Sequence, residues 1–116
     1  MAYNPELASR IRACLIGEPG FDERKMFGGI AFLLNGHMCC GVHESDLMLR
    51  LGPDLGPRAL EEPHTRVMDF TGRPMANMIF VEAAGVERDE ELNRWIGRAR
   101  DFVRTLPPKQ PKKKMG

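Results

Sequence analysis

Apolar residues recur at helical spacing near the start of the chain and again, more strongly, near its end. In the first segment, residues 5–17, one apolar stripe is formed by Leu7, Ile11, Cys14 and Leu15. Their i, i+4, i+7, i+8 spacing predicts an amphipathic helix. Asn4 is a favourable cap before this helix, and Pro5 suits its first position. Gly17 and the Pro19-Gly20 pair are expected to end it.

The segment 89–105 carries the clearest helical pattern. Its apolar stripe consists of Leu92, Trp95, Ile96, Ala99, Phe102, Val103 and Leu106. Acidic residues 89–91 come first and arginines follow, which is the order that the helix dipole favours. Because an amphipathic helix buries its apolar stripe, we expect this helix, with Trp95 at mid-stripe, to contribute most to the core.

Short apolar runs separated by turn residues predict strands between these two helices. The runs cover residues 24–34, interrupted at Gly28-Gly29, and then residues 37–42, 47–51, 65–70 and 77–82. Asn35-Gly36 predicts a tight hairpin, because both central positions of a type I′ turn need positive φ. Residues 54–62 resemble a short helix, although Gly56 and Pro57 weaken that pattern.

The predicted order is α-β-β-β-α-β-β-α. The hairpin makes the sheet antiparallel, and the long final helix needs a large surface to cover. We therefore predict a two-layer α+β fold, with an antiparallel sheet of about five strands and helices packed on it. Residues 1–106 form the domain, and the Pro/Lys-rich residues 107–116 are expected to be disordered.

The charge distribution separates the tail from the domain. The chain carries a formal net charge of +1, but residues 107–116 hold four lysines and no acid. The rest therefore has 13 basic and 16 acidic residues, so the domain is slightly acidic, which argues against a nucleic-acid binding fold. The sequence contains no apolar run of membrane-spanning length and no secretory signal at its start. Its three cysteines, an odd number, suggest reduced thiols in the cytoplasm.

A cysteine- and histidine-rich strand raises the question of chemistry. His37, Cys39 and His43 share strand parity, whereas the adjacent Cys40 is expected on the opposite face. A zinc site needs three or four converging ligands, so this spacing predicts no metal and no cofactor. A thiol nucleophile with a histidine base is the alternative, in which the chain is an enzyme or a small-ligand-binding protein.

Two loops are the candidate binding elements. Gly28-Gly29 leads into a strand rather than a helix, so we predict a β-bulge instead of a phosphate-binding loop. A glycine pair inside a strand also marks places where another backbone segment approaches closely. Loops on a rigid scaffold often carry function, although turn formation explains the same residues equally well. The candidate residues are Lys25, Met26, Phe27, Gly28 and Gly29 in the first loop and Thr71, Gly72, Arg73 and Pro74 in the second.

Several short blocks resemble one known family in order and spacing. They are residues 25–29 (KMFGG), 35–42 (NGHMCCGV), 47–52 (LMLRLG), 68–75 (MDFTGRPM) and 106–109 (LPPK). Together they resemble the N-terminal domain of the TfoX/Sxy family, and the resemblance covers about residues 5–109.

The resemblance implies a bacterial protein with a two-layer α+β fold related to secretion-chaperone-like domains. Named members regulate natural competence together with a cyclic-AMP receptor-type activator, and they carry a further C-terminal helical domain. We therefore expect a stand-alone N-terminal domain that lacks this second domain. It would act as a non-enzymatic, cytoplasmic interaction or regulatory domain with a protein partner. A homodimer is an open alternative, and neither sequence-specific nucleic-acid binding nor membrane association is expected. The resemblance supplies no catalytic residues.

Overall fold

Three α-helices and six strands make up the domain in a computed structural model that describes residues 3–26, 28–68 and 77–107. In chain order the elements are α1 (Pro5–Leu15), β1 (Phe21–Met26), β2 (Gly29–Leu34), β3 (His37–His43), β4 (Asp46–Arg50), α2 (Gly52–Ala59), β5 (Thr65–Val67), β6 (Met78–Val81), a short 3₁₀ helix (Ala83–Gly85) and α3 (Asp89–Arg104). The predicted α+β class and antiparallel sheet are confirmed. The expected tail beyond residue 107 lies outside the described residues.

The six strands form one sheet in the order β1-β2-β3-β4-β6-β5, and every neighbouring pair is antiparallel. The sixth strand arises because the region around Gly28-Gly29 is a chain reversal. Met26 lies opposite Gly29, so β1 and β2 are two strands of a hairpin. The predicted bulge at this glycine pair is therefore wrong.

A tight turn at Asn35-Gly36 joins β2 to β3, as predicted. Both residues have positive φ, 53° at Asn35 and 86° at Gly36. The bulge of this sheet lies instead within β3. Phe32 is opposite Cys40 and Leu33 is opposite Met38, which leaves Cys39 as an extra residue. The alternation of side chains between the two faces of the sheet is interrupted there.

The helical layer covers one face of the sheet. α1 packs on β3, and α3 packs on β2, β3 and β4. The stripe of α3 is buried as expected at Leu92, Trp95, Ile96, Ala99 and Val103, whereas its two other predicted members, Phe102 and Leu106, are partly exposed. Asn4 caps α1 as predicted, because its side-chain oxygen accepts hydrogen bonds from the backbone N–H groups of Glu6 and Leu7. α2 begins at Gly52 and ends at Ala59, earlier at both ends than its pattern suggested.

Ion pairs connect the helical layer to the rest of the fold. Arg98 of α3 contacts Glu62 at 2.8 Å, and Arg104 contacts Glu18 at 2.6 Å. Arg10 of α1 contacts Asp89 at the start of α3. The arginines near the end of α3 are thus neutralised by acidic residues of the preceding loops.

The opposite face of the sheet carries a second apolar cluster. Met48, Met68, Met78 and Phe80 are buried in it, and Met38 packs against them. These side chains lie on the face opposite the main core, because Met48 pairs with both Gly41 and Phe80 while its neighbours Leu47 and Leu49 enter the helix-side cluster. Methionine fills this irregular surface, as is common in cores.

Candidate functional site

An open cleft of about 400 Å³ lies between α2 and α3. Its lining residues are Leu51, Gly52, Pro53, Asp54, Leu55, Arg98, Asp101 and Phe102. Leu51 is buried, Leu55 and Phe102 are partly exposed, and Pro53 is exposed, so the floor is apolar and reachable. The cleft exists because α2 follows directly after β4 and lies beside the last two turns of α3.

The charged side chains at this cleft differ in their exposure and in whether a neighbouring opposite charge compensates them. Arg98 is bound to Glu62 and lies 4.8 Å from the ring centre of Trp95, so its charge is already compensated. Asp54 lies exposed in the first turn of α2. Asp101 is 79% exposed and lies 3.7 Å from a nitrogen of Arg100. The rim therefore presents two accessible carboxylates beside an apolar floor.

The first candidate loop has a structural explanation. Gly28 is exposed and has φ +73°, a conformation that glycine adopts easily. A Cβ atom on Gly29 would lie 1.9 Å from the carbonyl oxygen of Val42 on β3. Gly28 thus suits the β1–β2 turn, and Gly29 is required by the close approach of β2 to β3. Lys25 is exposed next to them and is free of this constraint.

The remaining candidate residues of the loops fall largely outside the described structure. This holds for Phe27 and for Thr71, Gly72, Arg73 and Pro74. For Met26 only the backbone pairing with Gly29 is described. Their proposed binding role stays a prediction.

The cysteine strand is built into the core. Cys39 and Cys40 are both fully buried and both belong to the helix-side cluster, so the expectation that they point to opposite faces is wrong. The bulge at Cys39 is the physical reason, because it breaks the alternation. A hydrogen bond with Cys39 and burial raise the pKa of the Cys40 thiol well above its usual range. A neutral, buried thiol is a poor nucleophile.

The two histidines of this strand lie apart from each other. His37 Nε2 is 2.6 Å from the carbonyl oxygen of Pro107, just after α3. His43 lies at the other end of β3, with its ring 5.9 Å from that of Phe80. The strand therefore does not gather its cysteines and histidines into one site. Among the described residues, no group of three or more histidine, cysteine or acidic side chains is arranged to hold a metal ion.

A charged cluster on the methionine face was not foreseen from the sequence. Arg66 of β5 contacts Asp46 of β4 and Glu82 after β6, and its guanidinium lies 4.7 Å from the ring centre of Phe80. Burial raises the pKa of the Asp46 carboxyl, an effect that the Arg66 charge opposes. The three charged residues are 16 to 36 positions apart and meet only because β6 inserts between β4 and β5. No periodic signal in the sequence marks them.

The third cysteine, Cys14, lies half-buried between α1 and α3. Its thiol donates a hydrogen bond of 2.9 Å to the side-chain oxygen of Asn93. Burial, and then the charge of Asp89, raise the pKa of this thiol. Cys14 therefore packs and bonds in its neutral form at the α1–α3 contact.

The fold and its clefts define a two-layer α+β domain with helices on one face of a six-stranded antiparallel sheet. Within that class the assignment is specific. The chain belongs to the TfoX N-terminal domain family, whose model matches residues 16–103. The resemblance seen in the sequence blocks is thereby confirmed. Comparisons with curated proteins and with solved structures gave no match. Within the part of the chain that the structure describes, no helix has the length and apolar character needed to cross a bilayer.

Proposed function

We propose that this domain acts without catalysis, by binding a protein partner at the cleft between α2 and α3. The observation that carries the proposal is the combination of an accessible apolar floor and two rim carboxylates, Asp54 and Asp101. Apolar grooves commonly accept the apolar side chains of a partner helix, and complementary charges around the groove fix its register. The burial of Cys39 and Cys40 supports a non-catalytic role, because it removes the thiol chemistry considered for this chain.

The charges indicate what kind of segment the cleft would accept. Arg98 is occupied by Glu62, so the accessible charges at the rim are negative. A partner segment that presents a large apolar side chain beside a lysine or arginine would complement both features. The family resemblance suggests regulation of competence or transcription as the setting, through a partner rather than through DNA. The three free thiols are typical of a reducing, cytoplasmic environment.

The test is affinity capture from the source organism, with the full chain as bait and mass spectrometry as the readout. The double substitution Asp54→Lys/Asp101→Lys should remove the specific partner, because it reverses the charge at the rim without altering the core. Glu61→Lys/Glu90→Lys is the matched control, since both residues are exposed and lie outside the cleft. Retention of the partner by the rim variant would contradict the cleft as the binding site. Loss of the partner with Lys25→Glu instead would assign binding to the β1–β2 loop.

A further inference from the structure

Among the strands that the structure describes, β1 lies at one edge of the sheet and pairs with β2 alone. The backbone N–H of Asn35 donates to the carbonyl of Gly20, which identifies the even-numbered positions of this strand as those bonded to β2. The odd-numbered residues therefore direct their backbone groups outward. The N–H of Phe21 donates to the carbonyl of Glu18, and the N–H of Glu23 donates at 2.9 Å to the side-chain oxygen of Asp22, a local bond that pairing with another strand would replace.

The outer edge carries an ordered set of charges. From residue 22 onward the strand reads Asp, Glu, Arg, Lys, two acids followed by two bases. Charged side chains on an edge strand usually oppose pairing with another chain. In an antiparallel pair of identical strands, however, this order can bring an acid of one strand opposite a base of the other.

We infer that β1 pairs antiparallel with β1 of a second copy of this chain, around a two-fold axis at Glu23. This register places Asp22 of each copy opposite Arg24 of the other, and Phe21 opposite Lys25. Opposite charges directly across a strand pair stabilise it. The symmetric interface extends the sheet to twelve strands and leaves the α2–α3 cleft free, so it is independent of the proposed partner binding.

The pairing at the axis decides between two registers. An axis at Arg24 would bring two arginines face to face in a close, non-hydrogen-bonded pair, which is unfavourable. The chosen axis brings two Glu23 side chains together, but each is held in a two-bonded ion pair with an arginine, whereas Arg24 is held more loosely, by a contact of 3.7 Å with Asp22 of its own strand. Arg12 of α1 donates to both carboxylate oxygens of Glu23, at 2.5 and 3.0 Å. The side-chain hydrogen bond with Arg12 also lowers the pKa of Glu23, consistent with a compensated carboxylate.

The interface rests on one strand, so its area falls in the range of weak complexes. We therefore expect a dimer that dissociates on dilution. Sedimentation velocity over a concentration series should show association that weakens about tenfold or more in Asp22→Arg, because two attractive pairs become repulsive. Arg24→Asp should have the same effect. The double substitution Asp22→Arg/Arg24→Asp should restore association, because it exchanges the partners of each pair.

Disulfide trapping tests the register. In a Cys14→Ser background, Asp22→Cys and Arg24→Cys proteins are mixed and oxidised, and intact masses identify the products. The expected product is the mixed dimer, because these positions face each other at a separation that a disulfide spans. Val67→Cys, on the opposite edge strand and 43% exposed, controls for random oxidation.

Three results would overturn the inference. The first is a monomer at every concentration, and the second is a mixed disulfide no more abundant than that of the Val67→Cys control. The third is a homodimer of Arg24→Cys, which would move the axis to Arg24. Circular dichroism confirms that each variant is folded, so a loss of association can be assigned to the interface.

Discussion

Replacing Gly29 by alanine tests whether the glycine pair serves the fold or a ligand. A Cβ at this position would lie 1.9 Å from the carbonyl oxygen of Val42 and 3.0 Å from its carbonyl carbon. Because backbone forms this obstacle, the strands themselves must move apart, by about 1 Å or more to restore van der Waals contact. Overpacking of this kind costs about 1–3 kcal/mol. For a domain of this size, a loss of about 2 kcal/mol lowers the Tm by about 10 °C.

Two neighbouring glycines provide a graded comparison. A Cβ on Gly17 meets nothing within 4 Å, so Gly17→Ala should be neutral or slightly stabilising. Gly28 also has open space but has φ +73°, so Gly28→Ala should cost about 1 kcal/mol. Gly28→Asn should cost less, because asparagine tolerates this conformation.

Thermal unfolding followed by circular dichroism measures the series. The expected order of Tm, from highest to lowest, is Gly17→Ala, then Gly28→Asn, Gly28→Ala and Gly29→Ala. A Gly29→Ala protein as stable as the parent would refute the close approach of β2 to Val42. The glycine pair would then need a functional explanation, and partner capture with Gly28→Asn would be the next measurement.

Three further predictions concern the core, acid stability and DNA. Trp95 is 2% exposed, so Trp95→Ala should cost about 3–5 kcal/mol and nearly unfold the domain, and an unchanged Tm would contradict the packing of α3 on the sheet. The lowered pKa of Glu23 means that its pairing with Arg12 stabilises the fold above the unfolded pKa of about 4.3 and is lost as pH falls through the lower folded value. Urea unfolding should therefore show a smaller acid destabilisation for Glu23→Gln than for the parent, and equal pH profiles would argue against the pair. Deleting residues 109–116 should leave the fold intact and abolish any DNA binding, which should be sequence-independent and weak near physiological salt. Gel-shift titrations at two salt concentrations measure this, and tight binding of one sequence after the deletion would refute it.

The two main helices and the Asn35-Gly36 hairpin were predictable because their signals are local. Helical periodicity places the apolar side chains around Trp95 on one side of the helix. Packing against a sheet buries that side whatever the order of the strands. The start of β1 was missed for an equally physical reason. Residues 21–26 are mostly charged, as an edge strand allows, so they show little of the apolar pattern on which strand prediction depends.

The candidate chemistry depended on contacts that no local pattern reports. Strand parity placed Cys39 and Cys40 on opposite faces, but the register of β2 against β3 inserts a bulge at Cys39 and buries both. The cleft at Asp54 and Asp101 likewise arises where two helices far apart in the chain come together.

By itself the sequence determined the α+β class, the positions of α1 and α3, one hairpin and the family, because each depends on short-range periodicity, turn conformation or ordered motifs. The tertiary structure alone decided that β6 inserts between β4 and β5 and that the thiols of β3 are buried in the core. It also decided that Arg12 neutralises Glu23 at the sheet edge. These features are set by strand register and by side chains meeting across the fold. A one-residue change in register moves a side chain to the other face while leaving every local pattern in the sequence unchanged.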